Sequence, residues 1–404
     1  MENPDATPFA RLYLKRREER RVRQGHPWVF SNEVDVDRTP LSGFAPGQAV
    51  EIADYRGKPL GVGYVNPQSL ICVRVLSTKG GESFGSQFWA ARLQQALSLR
   101  ERLFDGNCFY RLAFGESDGL PGLVVDRYAD TVVAQIGTAG VERRHDQVVA
   151  ALECLLQPRA IVLRNDHPSR ALEGLDVGVR TVRGQAPDLV RVPEHGLIFD
   201  VSPLRGQKTG WYFDHRFNRA RVHAYVRDQR VLDVFSYCGA WGLQAAAAGA
   251  REVLCVDSSE TALEQLACNA HLNGLQRRVS THCGDAFATL KALYDEREQF
   301  DTVILDPPAF VRRKKDLASG LQAYHRLHRL ALRLLSPDGI LVSACCSSHL
   351  RREQLLEVLA SAARGLGRTI QIVEEGHQAP DHPVHPMIPE SSYLKVFFAR
   401  LLSR

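Results

Sequence analysis

Residues 230–257 read RVLDVFSYCGAWGLQAAAAGAREVLCVD. An apolar run, RVLDVFS, gives way to a turn with Gly239 and Gly242. An alanine-rich segment, LQAAAAGA, follows, and then a second apolar run, EVLCVD. The spacing predicts strand, helix, strand, and a helix between two strands makes them parallel. The alternation continues outward. SETALEQLACNAHLNG is a helix opened by a serine cap and closed at Gly274, and RVSTHCGD is a strand. FATLKALYDERE is a helix and FDTVILD a strand; LQAYHRLHRLALRLL is a helix closed by SPDG, and ILVSACC a strand. This pattern predicts an α/β domain built on a doubly wound, largely parallel sheet, with its chemistry at the carboxyl ends of the strands.

The rest of the chain has a different texture. From residue 10 to about 80, short period-two runs stand between turn signals: HPWVFSNEV, GQAVEIAD, YRGKPLGVGYV and SLICVRVLS. They predict a small β-rich module with a hairpin at Val50–Ile52 and Leu60–Val65. Next comes a mixed α+β region. FWAARLQQALSLRERLF and VERRHDQVVAALECLL read as helices, and AIVLRND as a strand. Further strands flank a turn at Ser117 to Gly122. The expected domains are 10–82, 85–190 and 191–404.

The chain has 404 residues, 44% of them apolar, enough for several cores. No stretch has the length of a membrane span, and the N-terminus lacks a signal-peptide core. Nine cysteines occur without a C-x-x-C pair, so neither a metal site nor a disulfide framework is expected. That usage fits a reducing cytoplasm. Net charge is +5. Two basic runs stand out: KRREERRVR at 15–23, with Arg16 and Arg17, and Arg312, Arg313, Lys314 and Lys315 shortly after Asp306. Either run can meet a phosphate backbone or form a solvated face.

The strand ends carry the functional signal. Asp233 precedes the glycine turn at Gly239, which can cradle a pyrophosphate or the amino-acid end of S-adenosylmethionine, or simply start a helix. Asp257 can accept ribose hydroxyls of either a dinucleotide or S-adenosylmethionine. Asp285 can meet an adenine or cap the next helix. Asp306-Pro307-Pro308-Ala309-Phe310 discriminates, because a dinucleotide enzyme has no need of it. Asp306 can meet a ring nitrogen, the Pro307 carbonyl can accept from an exocyclic amine, and Phe310 can stack on a base. Cys346 ends the next strand as a candidate nucleophile. A buried thiol as core filler is the plainer alternative.

These motifs resemble the bacterial ribosomal RNA large-subunit methyltransferase I family. The matching pieces are HPWVFS, FGESDGLPG at 114–122, EHG at 194–196, GQKTGWYFDHR at 206–216, VLDVFSYCGAWG, DPPAF, CCS at 345–347, and HPVHPMIPESSYLKVF at 382–397. The resemblance implies a PUA domain, a middle linking domain and a Rossmann-like methyltransferase domain. It further implies S-adenosylmethionine as donor and 5-methylcytosine in large-subunit rRNA as product. Cys346 is then the nucleophile and Asp306 its catalytic partner. Cofactor contacts are expected from Lys208, Thr209, Tyr212, Arg216, Asp233, Phe235, Ser236, Gly239, Asp257, Ser258, Asp285, Ala286 and Asp306. Substrate contacts are expected from Pro307, Phe310 and the two basic runs. The chain departs from the family pattern at Ala309, where lysine is usual, and at Cys345, where serine is. It also departs at Cys238, Ala240 and Trp241, where threonine, glycine and phenylalanine are. A guanine methyltransferase without covalent catalysis and a non-catalytic RNA-binding assembly factor are the competing readings, and a homodimer is left open.

Overall fold

The computed structural model describes residues 9–79 and 82–402. The parts of the expected domains at 80–81 and 403–404, and residues 1–8 of the N-terminal stretch, lie outside the described residues. The chain divides into two compact units. One holds the residues up to Val190 with 202–211 and 380–388; the other holds 191–201, 212–379 and 389 onward.

The first unit contains two sheets. In the first, β1 (Ala10–Tyr13), β2 (Trp28–Val29), β3 (Gln48–Ala53), β4 (Pro59–Val65) and β5 (Val73–Ser77) are ordered β1-β3-β4-β5-β2. β3 and β4 form the antiparallel hairpin predicted from the sequence. The basic run 15–23 enters a short helix, α1 (Glu19–Arg23), which buries only Val22. In the second sheet, β6 (Phe109–Phe114), β7 (Leu123–Tyr128), β8 (Thr131–Ile136), β9 (Ala160–Asn165) and β10 (Gly178–Gly184) lie in sequence order. Helices α2 (Ser86–Leu103), α3 (Ala139–Glu142) and α4 (His145–Leu156) accompany them. Tyr64 of β4 joins the core of this region, with Trp89, Leu93 and Leu123. Its hydroxyl donates to the Pro121 carbonyl at 2.6 Å. A late segment completes the unit. Fully buried Arg100 binds both Asp118 oxygens, at 2.6 and 2.8 Å, and the Asp381 carbonyl at 2.7 Å. The Arg111 amide donates to the Asp381 carboxylate at 3.0 Å.

The second unit opens with a hairpin, β11 (Val190–Glu194) and β12 (Leu197–Val201). Its body is a seven-stranded sheet ordered β15-β14-β13-β16-β17-β19-β18. The strands are β13 (Arg230–Val234), β14 (Glu252–Asp257), β15 (Val279–Cys283), β16 (Phe300–Leu305), β17 (Leu335–Cys345), β18 (Thr369–Gly376) and β19 (Lys395–Leu402). β13 to β17 are mutually parallel, and β19 runs antiparallel between β17 and β18. Short helix α5 (Arg216–Arg221) precedes the sheet. Helices α6 (Ala240–Ala247), α7 (Glu260–Leu272), α8 (Ala286–Asp295), α9 (Leu317–Leu334) and α10 (Arg352–Arg364) connect its strands. The central strands are buried on both faces, which is why they read as continuous apolar runs rather than alternating ones.

One detail differs from the sequence reading. SPDG does not sit in a loop after α9; it lies within β17. The β16–β17 register shifts there, and Asp338 takes φ 70 while accepting two bonds from Arg400. The ladder absorbs the turn residues as an irregularity. The GQKTGWYFDHR motif forms turns ending in a 3-10 turn at Phe213–His215.

Candidate active site

The parallel order brings the tips of β13, β14, β16 and β17 side by side in the second unit. After β13 the chain turns sharply, with left-handed φ at Phe235 (69°), Tyr237 (50°) and Gly239 (92°). Left-handed backbone at bulky residues is costly and persists only where the surroundings enforce it. Here the Phe235 and Ser236 amides donate to the Val256 carbonyl, at 2.8 and 3.1 Å. Asp257 accepts from the Tyr237 and Ser259 amides, both at 2.9 Å, so it braces the turn from the tip of β14.

Asp233 is fully buried. Its Oδ2 accepts from the Gly242 amide at 2.9 Å, while Oδ1 has no hydrogen-bond partner among the described residues. A Cβ on Gly242 would stand 3.0 Å from that carboxylate and 2.5 Å from Cys255 Sγ, so only glycine fits. Burial, with help from the negative charges of Asp306 and Asp257, pushes the Asp233 carboxyl up to about 8.

At the tip of β16, both carboxylate oxygens of half-buried Asp306 are engaged. Trp241 Nε1 donates to Oδ2 at 3.0 Å, and His215 Nε2 lies 3.5 Å from Oδ1. Trp241 and His215 meet edge to face, centroids 5.4 Å apart. At the tip of β17 the two adjacent cysteines point apart, as neighbouring strand residues do. Cys345 is fully buried, with Sγ 3.2 Å from Tyr324 Oη. Cys346 is half-buried, with Sγ 3.9 Å from the Pro307 carbonyl. Just beyond, Lys395 Nζ donates to the Ser347 and Leu350 carbonyls, at 2.6 and 2.8 Å, pinning the turn that follows Cys346.

Residues 107–397 match the model of the S-adenosylmethionine-dependent methyltransferase family, and residues 12–78 that of a PUA-like domain. The chain is 38% identical over 399 residues to a ribosomal RNA large subunit methyltransferase I of Klebsiella pneumoniae, covering 98% of this chain and 99% of that one. The counterpart from Shewanella denitrificans is also 38% identical, over 397 residues, covering 97% and 99%. The chain belongs to the ribosomal RNA large subunit methyltransferase I family. Among solved structures, a methyltransferase complexed with S-adenosylhomocysteine superimposes with a TM-score of 0.84 at 21% identity, over 97% of this chain and 100% of that one. A methyltransferase from Streptococcus mutans gives 0.82 at 21% identity, over the same shares. These likenesses show the fold. The homodimer left open by the sequence finds no support in them.

S-adenosylmethionine is the cofactor of this methyltransferase family. The residues present fit it: a buried carboxylate oxygen (Asp233 Oδ1) and a buried hydroxyl (Ser236 Oγ) without partners flank a glycine turn. Bound there, an ammonium would satisfy Asp233. Among the described residues no group of three or more His, Cys, Asp or Glu is placed to hold a metal, and no helix is long and apolar enough to cross a membrane.

The other sequence-predicted residues of the methyltransferase fall as follows. Phe235, Ser236, Gly239 and Asp257 shape the turn after β13. Ser258 is exposed, and its carbonyl lies 3.8 Å from Cys283 Sγ. Asp285 is exposed and caps α8 through the Ala288 amide at 2.9 Å, with Ala286 buried behind it. Tyr212 meets the Tyr237 ring at 5.8 Å, and burial holds its phenol well above the usual range. Arg216 is buried, 4.0 Å from Glu194, a carboxylate that Arg219 binds at 2.5 and 2.7 Å. Lys208 and Thr209 belong to the first unit, where buried Thr209 accepts from Tyr128 and Arg111. Pro307 is buried, and Phe310 packs on Tyr324 at 4.8 Å. Arg312, Arg313, Lys314 and Lys315 are exposed, as are Arg16 and Arg17.

His215, Trp241 and Lys395 were not singled out from the sequence. His215 lies inside the GQKTGWYFDHR motif, which was its only signal. Trp241 drew notice only as a departure from the family pattern.

The Asp233 carboxyl makes stability pH-dependent. The folded state keeps this proton up to about pH 8, whereas the unfolded chain releases it near the ordinary 3.8. The folded state therefore binds more protons over that window, and stability falls as pH rises through it. We expect Asp233→Asn to flatten that fall in the ligand-free enzyme and to weaken S-adenosylhomocysteine binding. Thermal melts at pH 5 and 8 with calorimetric titration check both.

Proposed function

We propose that this enzyme methylates carbon 5 of a cytosine in large-subunit ribosomal RNA, through a covalent bond from Cys346 to C6. The observation that carries this reading is the contrast between the two cysteines. Cys345 is enclosed against Tyr324, while Cys346 faces the Pro307 carbonyl beside the Asp306 tip. A methyltransferase acting on a base nitrogen needs no thiol there. The curated relatives named for large-subunit rRNA support the substrate class.

The chain's residues divide the work. Asp306 binds a ring nitrogen, and the Pro307 carbonyl, a pure acceptor, selects the exocyclic amine of cytosine. The Cys346 thiolate adds to C6, and the displaced electron pair passes to N3, where Asp306 stabilises it. C5 is then nucleophilic. Bound S-adenosylmethionine supplies the electrophilic methyl group. A base then removes the C5 proton, and departure of the thiolate restores the aromatic ring. The PUA-like module within 10–82 and the exposed bases at 16–17 and 312–315 hold the RNA backbone, 85–190 links, and 191–404 carries the chemistry. Binding should accordingly weaken with salt.

Deproteinised large-subunit rRNA and methyl-labelled S-adenosylmethionine test the reading. Labelled 5-methylcytidine in the nucleoside digest is the expected result. Label on a guanine would return Cys346 to a packing role and overturn it.

A further inference from the structure

The proton that N3 requires has no source in the chemistry above, and the surroundings of Asp306 supply one. An indole N–H can only donate. Trp241 therefore commits Asp306 Oδ2 as an acceptor, at 3.0 Å. Oδ1 is the oxygen left to exchange a proton, and it faces His215 Nε2 at 3.5 Å. His215 is 3% exposed on the 3-10 turn Phe213–His215, held edge to face against Trp241. Its other nitrogen, Nδ1, has no hydrogen-bond partner among the described residues. No bond there fixes the tautomer, so Nε2 can present either an N–H or a lone pair to Oδ1.

We propose that His215 lends and recovers the N3 proton through Asp306, and that Trp241 fixes which carboxylate oxygen carries it. This rests on the cytosine-5 reading. As the C6–S bond forms and the C5=C6 electron pair moves toward N3, a proton passes from the His215 imidazolium through Asp306 Oδ1 to N3, leaving Asp306 a carboxylate and His215 neutral. After methylation a base removes the C5 proton, which re-forms C5=C6 and expels the thiolate. The N3 proton then returns to Asp306, and the same path recharges His215. His215 touches no substrate atom and is a positioning and proton-relay residue. His215 faces Asp306 directly; Asp214 and Arg216 are its chain neighbours, and Asp306 itself feels Asp233, Tyr212 and Arg219, the last of which is paired to Glu194.

The test uses the full-length enzyme and rRNA transcribed with 5-fluorocytidine, which arrests the Cys346 adduct. Adduct formation is timed from pH 5.5 to 8.5. Glutamine at 215 keeps an N–H donor but cannot release its proton. We expect His215→Gln to slow the adduct about 10²-fold, to lose the pH-dependent limb of the wild-type profile, and to keep S-adenosylhomocysteine affinity within about threefold. Trp241→Phe should slow the adduct about tenfold while keeping that limb. A His215→Gln rate within about threefold of wild type, or a parallel loss of cofactor affinity, would reduce His215 to a structural residue and overturn the proposal. If the wild-type enzyme traps no adduct, the cytosine-5 reading itself fails, and the relay with it.

Discussion

A Cys346→Ala enzyme is expected to lose methyl transfer by roughly 10⁴-fold or more, since removing a covalent nucleophile leaves only binding and electrostatics. Its fold should be intact, because half-buried Cys346 packs at the margin of the core rather than within it. The neighbouring thiol provides the control. Cys345 is fully buried against Tyr324, so Cys345→Ala should cost about 1 kcal/mol of stability through a small cavity, with methyl transfer close to wild type. Methyl incorporation and thermal denaturation on both variants separate the two roles. If the losses exchange places, with Cys345→Ala inactive and Cys346→Ala active, the nucleophile has been misassigned. The chain departs from its family's serine at position 345, so this comparison bears directly on whether a second thiol changes the chemistry.

The second large effect falls on Asp306. Asp306→Asn keeps the size and a hydrogen-bonding carbonyl for Trp241 but cannot protonate N3. We expect a rate loss of about 10²- to 10⁴-fold. Stability should move the other way. Asp306 stands among the carboxylates that raise Asp233, so above about pH 8, where Asp233 loses its proton, removing the Asp306 charge relieves a repulsion present without substrate. At such a pH the variant should melt at or above the wild-type temperature while its single-turnover rate collapses. A fall in both together would mean that Asp306 serves the fold rather than the reaction. Slow turnover with a steadier fold is the signature of a site that stores unfavourable charge for use.

Much of this site was legible in the sequence because the β13, β14, β16 and β17 tips carry their chemistry in short, contiguous motifs. Asp233, Asp257, Asp306 and Cys346 each end an apolar run, and a parallel sheet sends such ends to one side. Asp285 carried two compatible readings, and its side chain makes the cap. What could not be read was tertiary. Nothing in the spacing of His215, Trp241 and Asp306 says that a turn before the sheet and a helix after its first strand converge on one carboxylate. Arg216, expected at the cofactor from the resemblance, lies beside Glu194 of the preceding hairpin. SPDG looked like a loop because its residues favour turns; they stand unpaired between the Leu335 and Ile340 pairings, as an irregularity that the strand spans.

The placement of β19 between β17 and β18 bears on how the protein is made. The turn after Cys346 is pinned by Lys395, and the first unit is knit together by Asp381. A nascent chain thus holds Asp306 and Cys346 before it holds these late contacts of either unit. Folding in strict N-to-C order, the usual habit of multidomain chains, would leave both units short of them. Chains that stop before Asp381 are therefore expected to be inactive toward RNA.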